Sequence, residues 1–455
     1  MSFIHPLQGI VSNNAGSVVF TVVKNMILAY KLDEGSKKYT LIGKWADQLD
    51  RDEIIKEYVM KEQARQLAEN EQAGKKAKKN SGSSEVTKRL EAKVPTPGPG
   101  APPIYTQLRN LTITDDESMI IVCADSDKSV LVFQIKLDDR ENCLHLKKRQ
   151  PFPKRPNALT VTEDNKTVMI ADKFGDVYAM LIDSEPVVKV DDEVEPVLGH
   201  VSMLTGVLMS KDQAGKHYII TSDRDEHIKV SHYPQSFIVN KWLFGHREFV
   251  STIDIPAWKP QWLFSAGGDD AIYSWNWETG KKLDEFKFTY LVKSQISDAH
   301  LAPERFQTEN NDVREIAVSK LAIIPNEPYL SFFVEATKLL IIIKVDQETG
   351  VMTLSQTIEL PFNILSLSIF SDPKSKHSGF NLTLDNHEAR DKEFVKFITR
   401  DEIKGEFVIS QEESSNFDHA VVASLKDEVS IQTTEEAVYP LYNIINLKKH
   451  GEHYS

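Results

Sequence analysis

The sequence predicts an all-β protein, a seven-bladed WD-repeat β-propeller interrupted by a disordered charged insertion. The first observation is a hairpin that recurs four times, each copy with an Asp six residues before the end of a short hydrophobic strand: Asp127, Asp172, Asp225 and Asp269. These residues are spaced by 45, 53 and 44 positions, the length of a four-stranded blade with its loops. The second observation is a Gly-His pair ahead of two copies, at Gly199-His200 and Gly245-His246.

The N-terminal part contains the first strands and the insertion. Two strand-like runs, Ser17–Val23 and Met26–Leu32, are joined by a two-residue turn. From about residue 50 to 100 the chain is charged, then basic, then rich in Pro and Gly, and such a segment cannot bury enough apolar surface to fold alone. We therefore predict one propeller domain over residues 1–455, interrupted at about 50–100. The Lys75–Lys79 cluster is either a nuclear-import or RNA-contacting segment or a solvated linker.

The central and C-terminal parts contain regular strand signals of decreasing clarity. Short β-branched runs separated by Asp, Gly and Asn turns include Met119–Cys123 and Thr167–Ala171. Beyond Trp277 the runs lack the Gly-His and Asp marks, as in Tyr329–Glu335 and Lys338–Val345, and predict degenerate late blades. We expect an N-terminal strand to close the ring against the last blade, since closure removes exposed sheet edges.

The charge balance bears on which partners the chain can bind. With 54 Lys and Arg against 67 Asp and Glu, the net charge is −13. A protein that held nucleic acid alone would show a basic balance or a basic face, so stand-alone RNA binding is disfavoured, although a role in a nucleic-acid pathway is compatible. The longest apolar run, Leu339–Ile343, is too short to span a membrane as a helix. Cys123 and Cys143 form no CxxC motif.

The repeated polar residues predict a buried hydrogen-bond network that fixes strand register within a blade. In such a blade a Trp indole, a Ser or Thr hydroxyl, the His and the Asp carboxylate are joined in that order. One copy is complete and comprises Trp275, Ser265, His246 and Asp269. The preceding copy offers Thr221, His200 and Asp225, with Ser231 where the Trp would be.

The same residues do not predict catalysis. A His–Asp–Ser set that recurs in successive repeats is better explained as a structural network, and no G-x-S-x-G motif is present. The remaining histidines have irregular spacings that do not suit a metal site. The sequence contains no G-x-G-x-x-G after a strand and no P-loop, so we predict no cofactor on this chain.

One turn is a candidate docking patch. The stretch TSDRDEHIKVSHYPQ (221–235) places Arg224, Glu226 and His227 in a turn and Lys229 in the strand that follows. Turn residues lie at the rim of a propeller, so this patch is either a partner-docking surface or a solvated charged turn. Comparable positions in the neighbouring blade hold two further candidates, Lys173 and Arg155.

Longer strings carry a specific resemblance over nearly the whole chain. They include PGPGAPPIY (97–105), CADSDKSVLVF (123–133), IADKFGDVY (170–178), ITSDRDEHIKVSHYPQSFIV (220–239), KWLFGH (241–246), HLAPERFQTENND (300–312) and KKHGEHYS (448–455). With them the chain resembles the fungal WD-repeat subunits that are the non-catalytic partners in the tRNA (guanine-N7-)-methyltransferase complex. The likeness is weak in 50–94 and 371–415.

The resemblance implies a function that composition and spacing do not give. The propeller would bind and stabilise a separate methyltransferase that carries S-adenosylmethionine and forms N7-methylguanosine at position 46 of the tRNA variable loop. The two chains would form a nuclear heterodimer that contacts tRNA mainly through the complex, and Lys229 would be a key ion-pairing residue towards the catalytic subunit. We accordingly expect Lys229→Glu to break the complex and leave the propeller folded. The alternative is a generic WD-repeat adaptor in another nuclear RNA-processing or ubiquitin-ligase assembly.

Overall fold

A computed structural model describes residues 3–49, 106–187, 194–307, 313–375, 377–387, 392–401, 403–427, 432–433 and 438–450, with residues 309–310 and scattered positions between 53 and 68. The described positions between 53 and 68 are helical. Most of the predicted disordered insertion, including the Lys75–Lys79 cluster, lies outside the described residues.

The described strands form seven four-stranded sheets, each built from consecutive strands. The first four blades are β2–β5 (Gly9–Ser12, Val18–Val23, Met26–Asp33, Lys38–Ala46), β6–β9 (Leu108–Ile113, Met119–Ala124, Ser129–Ile135, Leu144–Pro151), β10–β13 (Pro156–Val161, Thr167–Asp172, Asp176–Leu181, Leu198–Gly199) and β14–β17 (Leu204–Lys211, His217–Asp223, Ile228–Tyr233, Val239–Leu243). The last three are β18–β21 (Val250–Asp254, Trp262–Gly267, Ala271–Asn276, Lys281–Lys287), β22–β25 (Val318–Ile323, Tyr329–Val334, Leu339–Val345, Met352–Glu359) and β26–β29 (Ile364–Ser371, Ser378–Leu384, Val395–Arg400, Phe407–Ile409).

The blades are antiparallel and are arranged as a seven-bladed β-propeller, as predicted. The first strand of every blade lies beside the first strand of the next, and β2 lies beside β26, so the ring is closed. The core is divided among the seven junctions between neighbouring blades, each filled by its own cluster of buried apolar side chains. The connection between blades 5 and 6 contains a short helix, α1 (Thr289–Val292), and 3-10 turns at Lys293–Gln295, Asp298–His300 and Glu304–Phe306.

The late blades keep the fold without the Gly-His and Asp marks. The predicted strands Tyr329–Glu335 and Lys338–Val345 are present as β23 and β24. Every residue of β23 is buried, as is every residue of β24 except Lys344. Apolar burial of such strands on both faces contributes roughly 1.5–3 kcal/mol for each large side chain, and this can replace a polar network as the main determinant of blade structure.

The closure of the ring differs from the prediction. The N-terminal strand β1 (Phe3–Ile4) does not join the last blade, and instead pairs with β30 (Gln432–Thr433) in a separate two-stranded sheet. The last blade needs no added strand because β29 completes it. The junction between blades 7 and 1 is covered by helix α2 (Gln411–Asp427), whose Phe417 and Val421 are fully buried in the cluster shared by the two blades.

None of the helices that the structure describes is long and apolar enough to cross a membrane.

Candidate partner-docking site

The complete polar network in blade 5 has the order that the sequence predicts. His246 Nδ1 lies 2.7 Å from Asp269 Oδ2, and His246 Nε2 lies 2.7 Å from Ser265 Oγ. The Trp275 indole N–H donates to Ser265 Oγ at 2.8 Å. The Asp269 carboxylate can only accept, so the Nδ1–H of His246 donates to it, and in the neutral imidazole Nε2 then accepts from the Ser265 hydroxyl. This network is buried and structural, and it leaves no nucleophile exposed to solvent.

The network in blade 4 uses a different Asp from the one predicted. His200 Nδ1 donates to Asp223 Oδ2 at 2.9 Å, and His200 Nε2 accepts from Thr221 Oγ1 at 2.7 Å. The prediction that Asp225 bonds to His200 is therefore wrong. Burial lowers the pKa of His200, which keeps the ring neutral and able to accept from Thr221.

Strand register explains the change of Asp. In β14–β15 Leu204 pairs with Asp223, and in β18–β19 Val250 pairs with Gly267, so Asp223 stands where blade 5 has a glycine. Asp223 also accepts the backbone N–H groups of Asp225 and His227 at 2.8 and 3.0 Å, which closes the turn. The turn of blade 3 was the sequence signal that could have identified Asp223 as the turn-closing residue. There Asp172 accepts three backbone N–H groups in the same way, so Asp172 corresponds to Asp223 and not to Asp225.

Lys229 is not an exposed residue of the isolated chain, contrary to the docking-patch interpretation. The side chain is buried, with 4% of the residue accessible, and its ammonium donates to the Gly199 carbonyl at 2.5 Å. The same ammonium lies 5.5 Å from the ring centre of Trp242, and burial lowers the pKa of Lys229. In the hairpin register Lys229 pairs with Thr221 as Tyr273 pairs with Ser265, so it occupies the position of an aromatic core residue.

An aromatic surface covers Lys229, and the sequence reasoning missed it. Trp242 is 36% exposed and Phe244 is 70% exposed. The two rings lie 6.3 Å apart and nearly parallel, and the His227 ring lies 5.5 Å from Trp242. We call His227, Lys229, Trp242 and Phe244 the blade 4 face. The available signal was KWLFGH, because alternation along β17, continued one residue past its end, places Trp242 and Phe244 on the same side.

The other charged residues of the predicted patch lie around this face. Glu226 is exposed at the tip of the turn, with a positive φ of 66°. Arg224 faces the chain's own C-terminal segment, since its Nε donates to the Leu447 carbonyl at 2.6 Å. Asp225 pairs with Lys449 at 2.5 Å and accepts a hydrogen bond from Ser202. The turn is thus partly engaged within the chain.

The predicted residues of blade 3 form a separate basic and aromatic surface. Lys173 is exposed, and its ammonium lies 5.6 Å from the ring of Phe174, which is 58% exposed. Lys154 lies over the same ring at 4.6 Å. Arg155 is half-buried and has one guanidinium nitrogen 3.9 Å from Asp125. Lys173 is therefore accessible at the surface, whereas Arg155 is half-buried against Asp125.

The described residues contain no group of three or more His, Cys, Asp or Glu side chains arranged to hold a metal ion. Both cysteines are buried thiols, and burial raises the pKa of Cys123 to about 12 and that of Cys143 to about 11. The blade 4 face consists of aromatic rings around a cation, a composition suited to binding another protein.

The chain is similar in sequence to a known family of WD40 proteins. The family described as "tRNA methyltransferase TRM82 WD40 domain" matches residues 19–196 and 183–400. The chain is 60% identical to the tRNA (guanine-N(7)-)-methyltransferase non-catalytic subunit TRM82 of Vanderwaltozyma polyspora, over 100% of both chains. It is 50% identical to the protein of that name from Saccharomyces cerevisiae strain S288c, over 100% of both chains, and 48% identical to that of Kluyveromyces lactis, over 99% of this chain and 100% of the relative.

Solved structures support the fold alone. The WD40 repeats of RRP9 superpose with a TM-score of 0.53 at 12% identity, covering 84% of this chain and 88% of that one. The structure of U3-55K gives the same TM-score and identity, covering 85% and 91%.

Proposed function

The chain belongs to the TRM82 family, the non-catalytic subunits of tRNA (guanine-N7-)-methyltransferase, and on this premise we propose that it binds and stabilises the catalytic subunit through the blade 4 face. The S-adenosylmethionine site and the chemistry belong to that partner. The product is N7-methylguanosine at position 46 of the tRNA variable loop. The observation that carries the proposal is the exposed pair of rings, Trp242 and Phe244, over a buried ammonium.

The chemistry of the face indicates how docking proceeds. The rings supply apolar area that is exposed for most of Phe244 and about a third of Trp242, and burying such area drives association. Lys229 can pair with a carboxylate of the catalytic subunit only if Trp242 moves, because that ring and the Gly199 carbonyl cover the ammonium. Docking therefore exchanges the Gly199 hydrogen bond of Lys229 for an ion pair shielded from water, where charge–charge attraction is stronger.

A role in tRNA contact is proposed for the surface of blade 3. Lys154 and Lys173 lie over the exposed ring of Phe174, and cations beside an exposed ring suit phosphate and base contacts. The chain's net charge of −13 fits a division in which the catalytic subunit makes most of the phosphate contacts. We also propose that the complex is nuclear, which imaging of the tagged chain would test.

Reconstitution of tRNA methylation from purified chains tests the scaffold role. The two chains together should methylate tRNA, and this chain alone should show no activity. We expect Trp242→Ala to weaken binding of the catalytic subunit about 30-fold, since a central interface Trp contributes roughly 2 kcal/mol. Tyr290→Ala is the matched control, because Tyr290 is 65% exposed and lies between blades 5 and 6. Equal affinities for the two variants would contradict docking at the blade 4 face.

The burial of Lys229 changes what its charge reversal should do. Lys229→Glu places a carboxylate beside the Gly199 carbonyl in a buried site, so the variant should lose stability as well as partner binding. Lys229→Met keeps the packing on Trp242 and removes the charge. We expect Lys229→Met to stay folded, judged by circular dichroism, and to bind the catalytic subunit more weakly.

A further inference from the structure

The C-terminal segment lies across the rim of four consecutive blades, and its contacts are those of a bound peptide. We call residues 438–450 the C-terminal strap. It contains one 3-10 turn, Ile445–Leu447, and is otherwise irregular. All seven blades are complete without it, because their strands end at Ile409. The strap is therefore an addition to the propeller and not part of a sheet.

A single buried carboxylate holds the middle of the strap. Glu335 follows β23 in blade 6 and is 6% exposed. Its Oε1 accepts the backbone N–H groups of Asn443 and Ile444 at 2.7 and 2.8 Å, and its Oε2 accepts that of Ile445 at 2.8 Å. Hydrogen bonds to a charged acceptor are about twice as strong as neutral ones. Because all three donors are main-chain groups, Glu335 recognises the backbone of the strap.

Side chains fix the beginning of the strap on blade 7 and the N-terminal segment. The Tyr439 backbone N–H donates to His5 Nε2 at 3.1 Å, and the two rings make an edge contact at 5.1 Å. The Tyr442 hydroxyl donates to Asp385 and accepts from Asn363 Nδ2 at 3.1 Å. These contacts set the register of the strap relative to Glu335.

Each basic residue near the end of the strap meets an acidic residue on the propeller. Lys448 pairs with Glu248 at 3.1 Å, and Lys449 pairs with Asp225 at 2.5 Å. The His450 ring lies 2.7 Å from Glu315 and stacks on Phe306 with centroids 4.3 Å apart. The acidic residues come from blade 4 and from the connections to blades 5 and 6, so the groove selects for a basic peptide in one direction.

Residues 447–449 of the strap contact the turn that contains His227 of the blade 4 face. Arg224 donates to the carbonyls of Leu447 and Lys448 at 2.6 and 3.3 Å, and Asp225 is the partner of Lys449. Arg224 and Asp225 stand three and two residues before His227, whose ring packs against Trp242. A strap that leaves the groove would remove three contacts from this turn.

We propose that the rim of blades 4–7 is a binding site for an extended basic peptide, occupied by the chain's own residues 438–450, and that this occupancy holds the docking turn in its binding conformation. The second half of the proposal rests on the proposed function of the blade 4 face. The first half stands on the contacts of the strap alone.

Cleavage of the folded full-length chain tests the peptide site. A protease recognition sequence inserted between residues 433 and 438 allows the strap to be cut from the intact propeller. The cut strap should co-elute with the propeller in size-exclusion chromatography at micromolar concentration, detected by mass spectrometry. Glu335→Ala should release most of it, whereas Glu348→Ala, an exposed Glu in the same blade, should retain it. A cut strap that elutes alone from the folded control propeller, or equal retention by both variants, would overturn the site.

Affinity for the catalytic subunit tests the coupling. We expect the propeller stripped of its strap to bind the catalytic subunit at least tenfold more weakly, and addition of a synthetic peptide of sequence 438–450 to restore binding. Unchanged affinity after loss of the strap would overturn the coupling. If the uncut wild-type chain fails to bind the catalytic subunit, the proposed function fails, and the result on strap retention stands independently.

Discussion

Replacing Ser265 with Ala should lower the free energy of unfolding more than the equivalent change in the preceding blade. The Ser265 hydroxyl serves two buried partners, donating to His246 Nε2 and accepting from the Trp275 indole. Its removal leaves both groups unpaired in a site that water does not reach. An unsatisfied buried polar group costs about 1–3 kcal/mol, so the two together should cost about 2–6 kcal/mol.

The corresponding change in blade 4 supplies the comparison. Thr221→Val keeps the side-chain shape and leaves only His200 Nε2 without its partner, because Ser231 stands where blade 5 has Trp275. The expected loss is about 1–3 kcal/mol, half of that expected for Ser265→Ala. The difference between the two blades isolates the contribution of the indole hydrogen bond.

Urea unfolding followed by far-ultraviolet circular dichroism measures both losses. Ser355→Ala, at an exposed position of β25, is the control for the same change of residue and should be neutral. If the free energy of unfolding falls with urea concentration at the same slope in variant and wild type, a shifted unfolding midpoint shows that stability has changed. Equal losses for Ser265→Ala and Thr221→Val, or a Ser265→Ala value within about 0.5 kcal/mol of the control, would refute this account of the network.

Two further predictions concern the junction of blades 1 and 2 and the anchor of the strap. Arg149 bonds both Asp127 and the buried Asp47, at 2.7 and 3.1 Å, so Arg149→Met should cost about 3–5 kcal/mol in a urea titration, and adding Asp47→Asn should recover part of it. Burial lowers the pKa of His5 from 6.5 to about 4, and the neutral ring accepts a hydrogen bond from the Tyr439 backbone N–H. This bond therefore stabilises the bound strap fully above pH 6.5, and the stabilisation is lost as the pH falls towards 4 and the ring is protonated. Retention of the cut strap should therefore decrease about tenfold between pH 7 and 5, and His5→Gln should weaken that dependence.

The blade 5 network and the blade strands were predictable because they depend on local spacing. A hairpin places residues at fixed offsets opposite one another, so the distances between Ser265, Asp269 and Trp275 in the sequence determine their approach in the blade. The same reasoning failed at Asp225 because blades 3 and 4 carry the turn-closing Asp two residues earlier in the strand register than Asp269 of blade 5. In blade 4 this residue is Asp223, which accepts backbone N–H groups of the turn and also binds His200.

The geometry of the proposed docking site was only partly predictable. Charge in the turn at 224–229 suggested docking at blade 4, but it also suggested that Lys229 is exposed. Its burial depends on Trp242, which comes from another strand, and on Gly199, which comes from the previous blade. The strap could not be predicted from spacing, because Glu335 and Ile445 are 110 positions apart and a carboxylate gives no sequence signal for which backbone it will bind.

The sequence by itself determined the repeat, the number of blades and the family, because periodicity, strand patterning and long shared strings are properties of the linear chain. Tertiary structure decided three further features: which Asp binds His200, how β2 and β26 close the ring under helix α2, and where the C-terminal strap lies. Each of these depends on groups brought together by the closed ring from distant parts of the chain. The physical reason is that hydrogen bonding and burial act over a few ångströms in space, whatever the separation in sequence.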